Sequence, residues 1–278
     1  MDFSERDFAH WIGRTRVSVD ALTDRLVAEF CATLHPHVAA VEGAPPGIFW
    51  ALCPDMLPAT ELGPDGHPRL GIVLPDIPFG RRMWAGGEVL FHGDLHVGDG
   101  VQRTSEIADI AFKTGRSGRL CFVTVRHRYS VGGKDKVLER QDIVYREPTR
   151  AALPAKSPAA PKEGGNGARI ELTANPTMLM RYSALTFNGH RIHYDLPYAK
   201  NVEGYVGLVV HGPLQATLLL NLAATQLGRL PSRFSYRGLS PLICGDPFVV
   251  ELGEEGGTLK GRVLASDGRE TFGASIDP

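Results

Sequence analysis

A helix apolar on every side, a run of strands behind it and a Pro/Ala/Gly-rich segment dividing the chain predict an α+β fold. The arrangement expected is a double hotdog: two repeats of an antiparallel sheet wrapped on a central helix, with the N-terminal repeat degenerate. The dividing segment gives the boundaries: an N-terminal domain at residues 1–147, a linker at 148–167 and a C-terminal domain at 168–278.

The helix comes first because it is the clearest element. Leu214, Ala216, Leu218, Leu219, Leu220, Leu222, Ala223, Ala224 and Leu227 leave no polar face, so it must be buried. Its entry is His211-Gly212-Pro213, with Pro suited to a first turn. Upstream, Arg169 to Thr173 reads as a strand, and Asn175-Pro176 caps a helix running to about Thr186. Downstream, strands are expected at Arg233 to Leu239, Phe248 to Leu252, Thr258 to Ala265 and Glu270 to Ile276.

In the N-terminal half, Val19 to Leu34 is expected as a helix, with Ser18 and Asp20 offering capping oxygens. Strands are expected over Trp84 to Val97, Gln102 to Lys113, Leu120 to Tyr129 and Val137 to Tyr145, the last two joined by a Gly132-Gly133 turn. Between helix and strands, Glu42 to Gly80 is rich in Pro and Gly and should be irregular. Such long irregular segments are often functional, and this one is expected to fill the place of a central helix and to wall a substrate tunnel. The halves echo each other: Leu95-His96-Val97-Gly98-Asp99 matches Leu242-Ile243-Cys244-Gly245-Asp246 in spacing, which reads as an internal duplication or as two hairpins sharing a common turn dipeptide.

Bulk properties exclude several functions. Apolar residues make up 43% of the 278 and charged residues 22%, the balance of a folded globular chain. Thirty basic and 31 acidic residues leave a formal charge of -1, so no global field draws nucleic acid. Arg126-His127-Arg128 is a local exception, but on a strand its alternation splits the arginines from the histidine. Cys31, Cys53, Cys121 and Cys244 have no metal-ligand spacing and suit a reducing cytosol. The charged N-terminus lacks a secretory signal, and the apolar run Leu218 to Ala224 is too short to span a bilayer. A cytoplasmic protein without membrane or nucleic-acid partners is expected.

Two features carry chemistry. Asn188 and His193 share a polar loop, five positions apart, with Gly189 between them. Histidine moves protons near neutral pH, and a carboxamide orients water without carrying charge. His193 reads equally as a structural histidine on this spacing alone. Gly212 opens the buried helix, where a free N–H and the helix dipole favour negative charge on a carbonyl oxygen. It also reads as a simple helix entry.

The run Tyr182-Ser183-Ala184-Leu185-Thr186-Phe187-Asn188-Gly189-His190-Arg191-Ile192-His193-Tyr194-Asp195, with Val209-Val210-His211-Gly212-Pro213-Leu214, resembles the hydratase motif of the MaoC-like, R-specific enoyl-CoA hydratase superfamily. Arg81 to Gly87 and Lys113 to Gly118 resemble the N-terminal domain of its subgroup of mesaconyl-C4-CoA hydratases and mitochondrial 3-hydroxyacyl-thioester dehydratases. The resemblance spans nearly the whole chain. It implies a hydro-lyase acting on an acyl-CoA, with Asn188, His193 and Gly212 catalytic. No metal is expected, and no cofactor beyond the CoA of the substrate; the chain would be a monomer or homodimer. The commoner motif has Asp where this chain has Asn188, which removes a second base.

A short branched dicarboxylyl group such as mesaconyl is implied, and its carboxylate would want a cation: Arg181 and Arg191 are nearest in sequence. For the CoA phosphates, Arg82, Lys113, Arg116 and Arg237 are candidates. Trp84 and His211 complete the expected substrate-binding set. The rival readings are a fatty-acid-type 3-hydroxyacyl-thioester dehydratase, a non-catalytic acyl-thioester binding module and a hotdog thioesterase. The last tends to use a carboxylate near the helix, and Gly212 to Gly228 contains none.

Overall fold

The computed structural model describes residues 4–115, 118–146 and 167–278. A short helix α1 (Glu5–Phe8) leads to strand β1 (Thr15–Ala21) and helix α2 (Asp24–Leu34). Then come β2 (Arg81–Phe91), β3 (Gly100–Gly115), β4 (Gly118–Val131) and β5 (Lys134–Arg146). The second half has β6 (Arg169–Thr173), α3 (Pro176–Leu185), α4 (Leu196–Asn201), α5 (Gly212–Leu227), β7 (Arg233–Gly238), β8 (Pro247–Glu255), β9 (Thr258–Ala265) and β10 (Glu270–Asp277).

The ten strands form one sheet in the order β1-β3-β4-β5-β2-β7-β10-β9-β8-β6. Read outward from the central β2·β7 pair, the halves have the same topology, each strand of the first matching the strand five later. All pairings are antiparallel. This is the double hotdog. The Gly-Asp echo is a true correspondence. Gly98 and Gly245 both have positive φ, and their N–H groups donate to Leu22 and Ala174, each at 2.8 Å. The carbonyls of Leu95 and Leu242 accept from Ala44 at 2.7 Å and Val210 at 2.8 Å.

That second pair locates the degeneracy. Val210 runs straight into α5, whose Leu214, Leu218, Leu219 and Leu220 are fully buried and pack with β7–β10. Each such side chain contributes roughly 2 kcal/mol of burial. Ala44, at the equivalent position, leads only to the 3-10 turn Ile48–Ala51, after which the chain departs. Over 42–80, helical structure is confined to 3-10 turns, as the Pro and Gly content predicted. One expectation is corrected: Thr15–Ala21 is a strand with alternating exposure, and α2 begins at Asp24, capped by Thr23 Oγ1 accepting from Leu26 N. The β-branched alternation Thr15, Val17, Val19 outweighs the capping oxygens at Ser18 and Asp20.

The predicted dividing segment falls between β5 and β6, with residues 147–166 outside the described ones. Among the described residues no helix is long and apolar enough to cross a membrane.

Candidate active site

A cavity of about 670 Å³ lies against both halves of the sheet. Asn188, His193 and Gly212 line it together, and so do Arg82 and Trp84. Each arrives by a local device. α3 ends at Leu185; Phe187 takes a positive φ, and Asn188 N–H donates to the Ser183 carbonyl at 2.8 Å. Asn188 Oδ1 accepts from His190 N–H at 3.0 Å, which leaves the amide N–H groups as the free end of the side chain.

His193 sits in the 3-10 turn Arg191–His193 and is 6% exposed. Its Nδ1 lies 2.7 Å from the carbonyl oxygen of Val209. A carbonyl only accepts, so Nδ1 carries the proton and Nε2 keeps its lone pair. Burial pulls the His193 pKa down to about 4, partly offset by that hydrogen bond. The imidazole is therefore neutral near pH 7 and able to take a proton.

His211 is buried behind His193, outside the cavity wall. The two rings stack, and Ser183 Oγ lies 2.8 Å from His211 Nε2. Burial and the neighbouring His193 and His190 hold His211 far below the ordinary histidine range. The expectation that His211 touches substrate is corrected: it supports His193 from beneath.

Gly212 is the first residue of α5, so its N–H has no partner within the helix. A Cβ here would come within 2.8 Å of Trp84 Cε3. β2 carries a bulge between Trp84 and Gly86, and its indole covers this glycine. Bulges beside active sites commonly re-aim a side chain in this way.

The irregular N-terminal segment closes the site, as its composition suggested. Gly66, at positive φ, meets Gly189 so closely that a Cβ on it would fall 1.9 Å from the Gly189 carbonyl oxygen. This contact brings His67 against His190, with ring centroids 4.2 Å apart. Asp65, His67 and His190 place three ligand-type atoms within 4.8 Å of one another. However, Arg82 lies 3.3 Å from the Asp65 carboxylate and puts a positive charge where a cation would need to sit.

The other predicted binders are elsewhere. Arg181 is exposed on α3. Arg191 is held by Asp195 and by the Pro64 carbonyl, over the ring of Tyr198. Lys113 is exposed near the end of β3, over Phe122. Arg237 is exposed on β7 beside a shallow groove shared with Lys260 and Arg262. All four were chosen by nearness in sequence or by charge; Arg191 is taken up by Asp195, and the other three are exposed on α3, β3 and β7. Arg116 lies outside the described residues. Sequence reasoning missed Ser183 and His190, although both lie within the motif, and the Arg81–Glu203 ion pair at 3.1 Å in the cavity wall.

The family model for hydroxyacyl-thioester dehydratase type 2 matches residues 47–244. Mesaconyl-C(4)-CoA hydratase of Chloroflexus aurantiacus is 39% identical over 277 residues, covering 99% of each chain. The mitochondrial hydroxyacyl-thioester dehydratase type 2 of Schizosaccharomyces pombe is 28% identical over 250 residues, covering 81% of this chain and 82% of the relative. The solved structure of a MaoC-like dehydratase from Phytophthora capsici superposes with a TM-score of 0.71 at 14% identity, covering 96% and 95% of the two chains.

Proposed function

The chain belongs to the hydroxyacyl-thioester dehydratase type 2 family, and from that premise we propose that it hydrates a short branched dicarboxylyl-CoA, such as mesaconyl-C4-CoA, to the 3-hydroxyacyl-CoA, or runs the reverse elimination. It is a hydro-lyase. The acyl group is suggested by the Chloroflexus relative, which matches along its whole length.

One observation carries the mechanism: the Val209 carbonyl fixes the proton of His193 on Nδ1 and leaves Nε2 as the base. The thioester carbonyl binds the Gly212 N–H at the start of α5. A water bound by the Asn188 amide gives its proton to His193 Nε2, and its oxygen bonds to the β-carbon. Electrons shift to the thioester oxygen, where Gly212 and the helix dipole stabilise the enolate. Asn188 has no proton to exchange, so the imidazolium of His193 returns its proton to the α-carbon. Water adds across the double bond with no oxidation or reduction, so no cofactor is required beyond the CoA carried by the substrate. The protein is proposed to act in the cytoplasm.

The test follows the conjugated-thioester absorbance with mesaconyl-C4-CoA, crotonyl-CoA and a medium-chain enoyl-CoA. Rapid loss with mesaconyl-C4-CoA, abolished in His193→Ala, is expected. Loss only with the unbranched acyl groups would move the assignment to fatty-acid-type dehydration. Release of free thiol would make the protein a thioesterase, and binding without turnover would make it a binding module.

A further inference from the structure

The cavity that His193 lines also borders the inner face of β3, β4 and β5. In the C-terminal half the equivalent face lies under α5 and is mainly apolar: Val250, Leu252, Leu259, Val263 and Ile276 pack in the same core as the helix, and the buried Thr271 is paired with Gln215 of α5. In the N-terminal half the helix is missing, and that face borders the cavity with Arg103, Ser105, His127 and Gln141. Buried polar groups cost free energy unless paired, so apolar residues would suit an alkyl chain better here.

These groups are organised. Ser105 Oγ lies 2.8 Å from His127 Nδ1. Gln141 hydrogen bonds to His127 and donates to Glu139 Oε1 at 3.2 Å. Arg103 reaches Asp55 at 2.8 Å, and Arg16 from β1 pairs with the same Asp55 oxygen. Two guanidinium groups thus share one carboxylate, so this trio carries one more positive charge than negative. The next carboxylate, Glu139, has its Oε1 occupied by Trp50, Tyr236 and Gln141. Glu106 also borders the cavity, but from the opposite pleat of β3 to Arg103 and Ser105.

We propose that this chamber binds the far end of the acyl group, with Arg16 and Arg103 taking a terminal carboxylate while Ser105, His127 and Gln141 disfavour an alkyl end. The proposal rests on the acyl-CoA reading of the same cavity and replaces Arg181 and Arg191 as the carboxylate's partners. Arginine suits the role because its planar fork matches a carboxylate with two parallel hydrogen bonds.

The experiment measures binding without turnover. Succinyl-CoA and butyryl-CoA have equal carbon counts and differ by a terminal carboxylate; their Kd values are compared by calorimetry on the full chain. The expected result is at least a tenfold preference for succinyl-CoA in the native protein, collapsing to about twofold or less in both Arg103→Met and Arg16→Met. Arg16 is on an edge strand and more exposed, so its variant reports even where Arg103→Met fails to fold. Equal affinities in the native protein, or a preference retained in Arg16→Met, would overturn the proposal. Enoyl-CoA turnover, assayed separately, tests the hydratase reading itself: a protein that prefers succinyl-CoA but hydrates nothing keeps this inference and loses that one.

Discussion

The imidazole of His211 lies face to face with that of His193, ring centroids 3.5 Å apart and planes inclined by 21°. With Val209 fixing the edge of His193 and His211 its face, the His193 ring has little freedom left. A neutral ring under a developing imidazolium also stabilises positive charge through its π face. His211→Ala should lower kcat about tenfold or more while leaving KM within a few-fold, and should shift the acidic limb of the kcat/KM profile as water reaches His193. His211→Phe, which restores a flat ring, should recover part of kcat. No recovery with an unshifted profile would make His211 a packing residue only.

His193→Gln should cost turnover by roughly the 10²–10⁴-fold expected for loss of a general base. Steady-state hydration of mesaconyl-C4-CoA measures it. Because burial holds His193 neutral, with a pKa of about 4, kcat/KM in the native protein should stay flat well below pH 6.5. An acidic limb near 6.5 would contradict the assignment of His193 as a buried base.

Asn188→Asp restores a second ionisable group beside His193. The carboxylate can still accept from His190 N–H, so the loop should hold. The expected result is retained hydration with a new acid-side pKa in the kcat profile. A complete loss of turnover in a folded variant would mean that the amide donors of Asn188 are themselves required.

Acid should destabilise the protein through its buried histidines. His193 is held at about 4, and His190 and His127 at about 3, each mainly by burial. Their unfolded values lie near 6.5. Above pH 6.5 both states are neutral and these groups contribute nothing pH-dependent. Below it the unfolded chain binds protons that the folded one refuses, so stability falls as pH drops from 6.5 towards 4 and 3. His193 alone accounts for on the order of 3 kcal/mol across that window. Urea unfolding at pH 7, 5.5 and 4.5 measures the slope, which His127→Gln should reduce.

Gly66→Ala tests the contact that closes the site. It sets a Cβ against the Gly189 carbonyl and demands a positive φ, so it should lower stability and raise KM. Gly98→Ala is the control: it bears the same backbone demand with nothing within 4 Å of its Cβ. Similar effects for both would show that the Gly66–Gly189 approach contributes little beyond backbone strain.

Elements whose signals are local could be read from the residues alone. α5 is apolar on every side and can only be buried. β6 and β9 alternate between turn residues, and Asn175 caps α3 through Met178 N–H at 2.9 Å. That Asn188 and His193 share a loop and Gly212 opens α5 was legible because a loop and a helix start are short-range features; that all three line one cavity is a tertiary fact. How distant segments meet is visible in the folded chain and not before. The Val209 carbonyl selects the His193 tautomer, the Gly66–Gly189 approach brings His67 to His190, and strand register sends Arg237 outward while gathering Arg16, Arg103 and His127 around an absent helix. Charge and proximity along the chain favoured Arg181 and Arg191, but Arg181 is exposed on α3 and Arg191 is taken up by Asp195, while the cations that line the cavity are gathered by alternation across a sheet and by long-range pairing. Neither is encoded within reach of any one window of residues.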